Sequence, residues 1–190
     1  MVIIGITGTL GAGKGTIVDY LVSEKKFSHF SVRHFLLQRI QSLGLPKNRD
    51  SMVMVANNLR KDNSPSYIVD QLYEMARTKK DNAVIESIRT PGEIESLRKK
   101  GAFYLFAVDA DPKVRYDRIK IRQSETDNVD FHTFLDNEAR EMTSDDPNKQ
   151  NLKRCIELAD FRFKNNGSIS ELKAEVDHIL REITAGPGKK

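Results

Sequence analysis

Short apolar runs alternate along the chain with longer segments in which apolar residues recur at a helical period. Five of the runs have the length of β-strands and cover residues 2–7, 28–32, 83–87, 103–109 and 160–164. The first, third and fourth are almost continuously apolar, as expected for strands that helices cover on both faces. The alternation predicts an α/β fold, with a five-stranded parallel sheet and helices on both of its faces.

Capping signals mark two of the predicted helix starts. Thr90 and Glu93 have the spacing of a capping box, and Pro91 stands at the first helical position between them. Ser168 and Glu171 form a second box, which opens a final amphipathic helix. The tail 185–190 contains two glycines and a proline, and we expect it to be disordered.

Two stretches are too long or too polar to be simple connections. About 50 residues of helical character separate the second and third strands, which predicts a helical insert over about 33–81. A polar stretch over about 123–145 predicts a short lid. Both would lie at the carboxyl edge of the sheet, where ligands bind in such folds. The prediction is one domain over 1–184, with its core in 1–32, 82–122 and 146–184.

Composition narrows the possible partners. The 190 residues are 38% hydrophobic and 31% charged, and no apolar run approaches the roughly 20 residues of a membrane span. A net charge of +4 suits phosphate-rich ligands. The basic residues are scattered along the chain, which does not favour a nucleic-acid partner. The N-terminus lacks a signal-peptide pattern, and the single Cys155 cannot form an internal disulfide, so we expect a cytoplasmic protein without a membrane partner.

Residues 8–16 directly follow the first predicted strand and read Gly-Thr-Leu-Gly-Ala-Gly-Lys-Gly-Thr. Gly8, Gly13 and Lys14 satisfy the G-x-x-x-x-G-K pattern of a phosphate-binding loop. Glycines let backbone N–H groups turn toward phosphate oxygens, and Lys14 supplies charge between the β- and γ-phosphates. A glycine-rich turn without a ligand is the alternative, but the strand–loop–helix context favours ATP. The predicted ATP-binding residues here are Gly8, Leu10, Gly11, Ala12, Gly13, Lys14, Gly15 and Thr16.

One departure from the usual loop suggests a family. Gly15 stands where most phosphate-binding loops carry the Ser or Thr that binds Mg²⁺, and Thr16 follows it. The Gly-Lys-Gly-Thr form resembles the P-loop nucleotide kinases of the adenylate kinase-like family, in which the metal is held largely through water and acidic groups. The resemblance implies ATP as a co-substrate and Mg²⁺ as a cofactor.

The family's acceptor site begins at the end of the second strand, which corresponds here to residues 29–35. This sequence keeps Ser31 but has Arg33 and His34 where the family commonly has a glycine and an aspartate. The resemblance implies that Ser31, Arg33 and His34 bind the acceptor. A solvated Arg33 and a surface or packing His34 are the alternatives.

The third predicted strand ends in Glu86, and Arg89 follows it. Glu86 replaces the family's usual aspartate and is expected, with Thr16, to hold Mg²⁺ largely through water. Arg89 resembles the family arginine that grips the phosphate of the acceptor. A salt bridge between Glu86 and Arg89 is the structural alternative, since charges at the end of a buried strand need partners.

Two further segments complete the resemblance. Arg118 and Arg122 lie four residues apart on one helical face and resemble lid arginines that clamp the transferring phosphoryl group. A solvated helix face is the alternative for this pair. Asn166-Gly167, after the fifth strand, resembles the loop that lines the adenine ring. The predicted catalytic residues are Lys14, Arg89, Arg118 and Arg122.

Three functions follow from these residues. The first is transfer of the γ-phosphate of ATP to a small phosphate-bearing acceptor, most simply a nucleoside monophosphate. The second is a hydroxyl kinase similar to the dephospho-coenzyme A kinases, which the bulk pattern also resembles. The third is a non-catalytic ATP-binding switch or assembly factor, because the family aspartate is missing beside His34. Fold resemblance does not choose the acceptor.

Overall fold

A computed structural model describes residues 1–122 and 129–185 of the chain. Within this part the strands form a parallel sheet in the order β2-β3-β1-β4-β5. This confirms the predicted fold class, and each strand lies within two residues of its predicted bounds. The strands are β1 (Ile3–Gly8), β2 (Ser28–Ser31), β3 (Ala83–Glu86), β4 (Phe103–Asp109) and β5 (Phe161–Lys164).

Helices cover both faces of the sheet, because neighbouring residues of each central strand point to opposite sides. Ala83 and Ile85 of β3 pack into the core of one face, and Val84 packs into the core of the other. The helices of the described part are α1 (Lys14–Ser23), α2 (Val32–Ser42), α3 (Arg49–Asp62), α4 (Tyr67–Lys79), α5 (Pro91–Arg98), α6 (Pro112–Arg122), α7 (Phe131–Met142), α8 (Leu152–Glu157) and α9 (Ile169–Ala185).

The predicted insert is the set of helices α2, α3 and α4, which share one core with α5 and α8. The opposite core is built by α1 and α9. Where α5 begins, the Thr90 side chain accepts a hydrogen bond from the Glu93 backbone, and the Glu93 side chain accepts one from the Thr90 backbone. The predicted capping box is therefore present and fixes the chain just beyond the end of β3.

The range predicted as a lid contains a regular helix. Residues 123–128 lie outside the described part, but Phe131–Met142 forms α7, capped by Asp130. Its Phe134 is buried and packs with Tyr116 of α6. At the other end of the chain, α9 extends through Ala185, the first residue of the predicted tail, and residues 186–190 lie outside the described part.

Across the described residues, no helix is long and apolar enough to cross a membrane.

Candidate active site

The loop between β1 and α1 requires glycine at some positions, because the backbone there has a positive φ and passes close to neighbouring atoms. Gly8 has φ +137°, and a Cβ there would lie 2.0 Å from the Val108 carbonyl oxygen. Gly13 has φ +102°, and a Cβ there would lie 2.2 Å from Asn165 Nδ2. By contrast, nothing lies within 4 Å of a Cβ built on Gly15. The loop geometry thus demands glycine at positions 8 and 13 but not at 15.

Lys14 begins α1 and folds its side chain back into the loop. Its Nζ donates to the carbonyl oxygens of Gly8, at 2.9 Å, and of Thr9, at 2.6 Å. Burial, reinforced by the positive charge of Arg89, lowers the pKa of Lys14 to about 7. A polyphosphate in the loop would stabilise the protonated amine and raise this pKa again.

Arg115 of α6 connects the phosphate loop to α7. It is buried, and its Nη1 donates to the Leu10 carbonyl at 3.3 Å. Its Nη2 donates to Glu138 Oε1 of α7 at 2.9 Å. Arg115 was not among the predicted site residues, because its burial depends on a helix that was not predicted.

An open cleft of about 720 Å³ lies beside the phosphate loop at the carboxyl edge of the sheet. One wall is apolar and comes from helices α2 and α3 of the insert. The other surfaces carry several cationic side chains and two carboxylates, so the cleft suits a polyanion with an apolar part. The apolar wall comprises Val32, Leu36, Met52, Val53 and Ala56. The charged lining comprises Lys14, Arg33, Arg49, Arg60, Arg89, Arg118, Arg122, Glu86 and Glu141.

Glu86, at the end of β3, accepts a hydrogen bond from Ser31 Oγ at 2.7 Å. His29 Nε2 lies 3.5 Å from the same carboxylate. Burial acts to raise the pKa of Glu86, but the hydrogen bonds from His29 and Ser31 outweigh it and leave the pKa below its ordinary value. Glu86 is therefore an ionised carboxylate at the cleft, and within the described residues its side chain pairs with Ser31 and His29 rather than with Arg89.

Glu86 and Thr16 both line the cleft, so a carboxylate and a hydroxyl suited to Mg²⁺ are present together. Within residues 1–122 and 129–185, no group of three or more His, Cys, Asp or Glu side chains forms a metal cage. The donor set fits an ion that takes most of its ligands from phosphates and water, and the assignment of Mg²⁺ to these two residues remains a prediction.

Arg89 pairs with Glu141, which was not among the predicted site residues. Its Nη1 donates to Glu141 Oε2 at 2.5 Å, and Arg49 Nη2 donates to Glu141 Oε1 at 2.5 Å. Burial acts to raise the pKa of Glu141, but the charges of Arg89 and Arg49 hold it below its ordinary value. One carboxylate from α7 thus joins the first residue of α3 to the loop after β3. No local sequence pattern marked Arg49 or Glu141.

The predicted acceptor residues separate into two groups. Ser31 caps α2 by accepting from the His34 backbone at 3.2 Å, and Arg33 lines the cleft with its Nη1 3.8 Å from Met52 Sδ. The His34 side chain is exposed, and its Nε2 lies 3.0 Å from Gln38 Nε2. His34 therefore occupies the surface position that was its structural alternative.

The predicted lid arginines both line the cleft. Arg118 Nη1 donates to the Asn165 carbonyl at 2.9 Å, and the charge of Arg122 contributes to lowering the pKa of Lys14. The loop after β5 contributes Asn165 to the cleft, and Asn165 Nδ2 donates to the Ala12 carbonyl at 2.8 Å.

The neighbouring Asn166 and Gly167 have other contacts. Asn166 Oδ1 accepts from the Asp111 backbone at 2.8 Å. A Cβ at Gly167 would meet the Glu171 carboxylate. The predicted role of Asn166 and Gly167 beside adenine stays a prediction.

Three buried polar atoms of the cleft lining have no hydrogen-bond partner in the described part of the chain: Arg49 Nε, Arg60 Nη1 and Gln150 Oε1. Buried polar groups are almost always paired in folded proteins. These atoms are therefore two donors and one acceptor that the described protein groups leave unsatisfied.

A phosphate loop with its lysine, set at the carboxyl edge of a parallel sheet and beside a cationic cleft, defines a P-loop nucleotide-kinase-like protein. A family model described as an AAA domain matches residues 4–144. The match covers more than half of the chain, so the protein belongs to this AAA domain family.

Relatives from archaea match the chain along nearly its whole length. A UPF0200 protein of Methanococcus maripaludis is 27% identical over 186 residues, which are 96% of this chain and 98% of that protein. A UPF0200 protein of Methanocaldococcus jannaschii is also 27% identical over 186 residues, covering 96% of this chain and 91% of its own.

Solved structures with the same fold include kinases. The shikimate kinase of Bacteroides thetaiotaomicron aligns with a TM-score of 0.61 at 13% identity, covering 95% of this chain and 98% of its own. A putative kinase of Chloroflexus aurantiacus aligns with a TM-score of 0.59 at 17% identity, covering 95% of this chain and 96% of its own. At these identities the likeness shows the fold alone.

Proposed function

We propose that this protein is an ATP-dependent phosphotransferase whose acceptor is a small molecule bearing a phosphate, with nucleoside monophosphates as the favoured class. The observation that carries the proposal is the convergence of Arg49 and Arg89 on a single anion in the cleft. Two guanidinium groups on one anion are the arrangement that recognises phosphate. Both Arg89 and Glu141 lie close enough to Lys14 to alter its pKa, so this pair is near the phosphate loop.

The donor side of the reaction rests on the phosphate loop. The loop amides and Lys14 would hold the β- and γ-phosphates of ATP, and the positive end of α1 would favour their charge. Arg118 and Arg122 would stabilise charge on the transferring phosphoryl group. Mg²⁺, held through water by Glu86 and Thr16, would neutralise charge between the phosphates.

The acceptor side combines charge with an apolar wall. Helices α2 and α3 present Val32, Leu36 and Met52 to the cleft, and a flat apolar ring can pack against such a surface. The phosphate of the acceptor would bind Arg89 and Arg49, with Arg33 on the same side of the cleft. A nucleoside monophosphate provides both the ring and the anion.

A hydroxyl acceptor is the second candidate, because the ionised carboxylate of Glu86 lines the cleft. A hydroxyl needs a base to take its proton during transfer. Hydrogen bonds lower the pKa of Glu86 and weaken it as a base, and the other candidate base, His34, is exposed on the surface. A phosphate acceptor is already an anion and needs no base.

An acceptor panel tests the proposal. Each nucleoside monophosphate is supplied singly with Mg-ATP, in parallel with dephospho-coenzyme A and shikimate, and ADP formation is measured. We expect at least one monophosphate to stimulate ADP formation well above both hydroxyl acceptors. Preferential turnover of a hydroxyl acceptor would favour the second candidate. ATP binding without any acceptor-dependent ADP release would instead indicate a non-catalytic switch.

A further inference from the structure

Glu141 makes the two contacts that the proposed acceptor phosphate would make. One of its carboxylate oxygens accepts from Arg49 and the other from Arg89, each at 2.5 Å. The side chain is only 8% exposed, so the anion is enclosed with its two cations. Because Arg49 starts α3 and Arg89 follows β3, Glu141 holds the insert and the core together around an anion-binding position.

The Glu141 carboxylate leaves one hydrogen-bond donor of this position without a partner. Arg49 Nε is buried in the cleft lining and has no hydrogen-bond partner among the described residues, although Arg49 Nη2 is bonded to Glu141. Each Glu141 oxygen accepts a bond from an arginine Nη atom, and neither is bonded to Arg49 Nε. A phosphate monoester has three terminal oxygens and up to twice the charge, so it can bond Arg49 and Arg89 and still offer an oxygen to Arg49 Nε.

We propose that Glu141 is an internal ligand of the acceptor site, which the phosphate of the acceptor replaces when it binds. This inference rests on the proposed function and deepens it, since it assigns the Arg49–Arg89 pair to the acceptor's phosphate monoester. The replacement moves Glu141 away from both arginines. Acceptor binding is thereby coupled to movement of α7.

Two other ion pairs of α7 indicate which part of the helix would move. Near Glu141, the ion pair of Arg140 with Asp50 is 3.3 Å long and exposed, so it adds little to the hold on the helix. One turn before Glu141, Glu138 is bonded to the buried Arg115, which contacts the phosphate loop. Release of Glu141 would therefore free the end of α7 while its middle stays attached beside the nucleotide.

The test compares the full-length protein with Glu141→Gln, using inorganic phosphate as the probe. A non-hydrolysable ATP analogue with Mg²⁺ first saturates the phosphate loop, so that calorimetry reports phosphate binding at the second position. Loss of the internal anion should raise the phosphate affinity by on the order of tenfold, because phosphate no longer has to displace a charge-assisted hydrogen bond. Asp136→Asn removes an exposed acid from the same helix and should leave the affinity unchanged.

Unchanged or weaker phosphate binding by Glu141→Gln would overturn the proposal, because it would make Glu141 a partner of the phosphate or a purely structural residue. Failure of phosphate to bind either form would overturn it as well. A melting temperature for each variant shows that folding is retained, and Glu141→Asp supplies a second variant if the glutamine form does not fold. The shorter Asp side chain cannot bridge both arginines, so its phosphate affinity should also rise.

Hydrogen exchange of α7 gives an independent readout. Phosphate should speed amide exchange near the C-terminal end of α7 in the parent, and Glu141→Gln should show fast exchange without phosphate. Phosphate that slows exchange there in the parent would contradict the replacement. Neither measurement uses turnover, so a failed acceptor panel and a failed replacement are distinguishable.

Discussion

Arg60 of α3 and Glu93 of α5 form an ion pair from which solvent is almost fully excluded. Arg60 Nη2 donates to Glu93 Oε1 at 2.8 Å, and the two side chains are 1% and 0% exposed. The same Glu93 carboxylate accepts from the backbone N–H groups of Arg89 and Thr90. This one side chain thus ties the insert to the loop that carries Arg89.

Glu93→Ala should lower the free energy of unfolding by about 3–5 kcal/mol, because it leaves the buried charge of Arg60 without a partner. Urea denaturation measures the change. Glu95→Ala removes an exposed acid from the same helix and should alter stability by no more than about 0.5 kcal/mol. A loss below about 1 kcal/mol for Glu93→Ala would show that Arg60 reaches solvent.

Lys14→Met should reduce phosphoryl transfer by a factor on the order of 10²–10³, the typical effect of removing one group that stabilises developing charge. Lys14 lines the cleft, so the melting temperature should change little. Steady-state kinetics against ATP measure the loss, with the exposed Lys61→Met as control. Transfer within about tenfold of the parent would remove Lys14 from the reaction.

ATP binding should weaken as the pH rises above about 7. Lys14 has a pKa of about 7 in the free protein, and bound phosphate raises it. Above pH 7 the free amine is mostly neutral and must take up a proton on binding, so Kd should rise by up to about tenfold per pH unit. Calorimetry between pH 7 and 9, in buffers of different ionisation enthalpy, measures Kd and the proton uptake.

Lys14→Arg is the matched control for this pH dependence. The guanidinium stays charged over the whole range, so its Kd for ATP should be nearly independent of pH between 7 and 9. An equal pH dependence in Lys14→Arg would assign the titration to another group.

Gly15→Ala should raise the free energy of unfolding by about 0.5–1 kcal/mol, because position 15 is helical, open and free of steric conflict. Gly8→Ala should lower it by roughly 2 kcal/mol or more, since the new Cβ would meet the Val108 carbonyl at a positive φ. Thermal and urea unfolding compare the two variants. Equal effects would contradict the loop geometry.

Arg122→Ala should lower kcat by about 10²-fold while leaving the KM for ATP within a few-fold. The reason is that a charge beside the transferring phosphoryl group stabilises the transition state more than bound ATP. Initial-rate kinetics with the best acceptor measure the split. Lys120→Ala changes an exposed cation of the same helix and should leave kcat unchanged. Normal turnover in Arg122→Ala would assign Arg122 to a solvated helix face.

The sheet, the phosphate loop and the capping box at Thr90 could all be predicted from sequence, because each depends on neighbours a few residues apart. A strand covered on both faces needs a continuous apolar run, and a phosphate loop needs its glycines and lysine at set spacings. The fold confirms these predictions. The helix α7 was missed although its apolar residues Phe131, Phe134 and Met142 recur at a helical period, because it lies within an otherwise polar stretch.

The partners of the charged residues could not be predicted in this way. Glu141 lies 92 positions from Arg49 and 52 from Arg89, and the sequence alternative paired Arg89 with Glu86 instead. The sequence shows that a charged residue beside a buried strand needs a partner. Which partner it finds depends on the side chains that the packing of α3, α7 and β3 brings within reach. The residue types of the site were thus readable from local pattern, whereas its ion pairs follow from contacts between distant segments, whose geometry no local pattern contains.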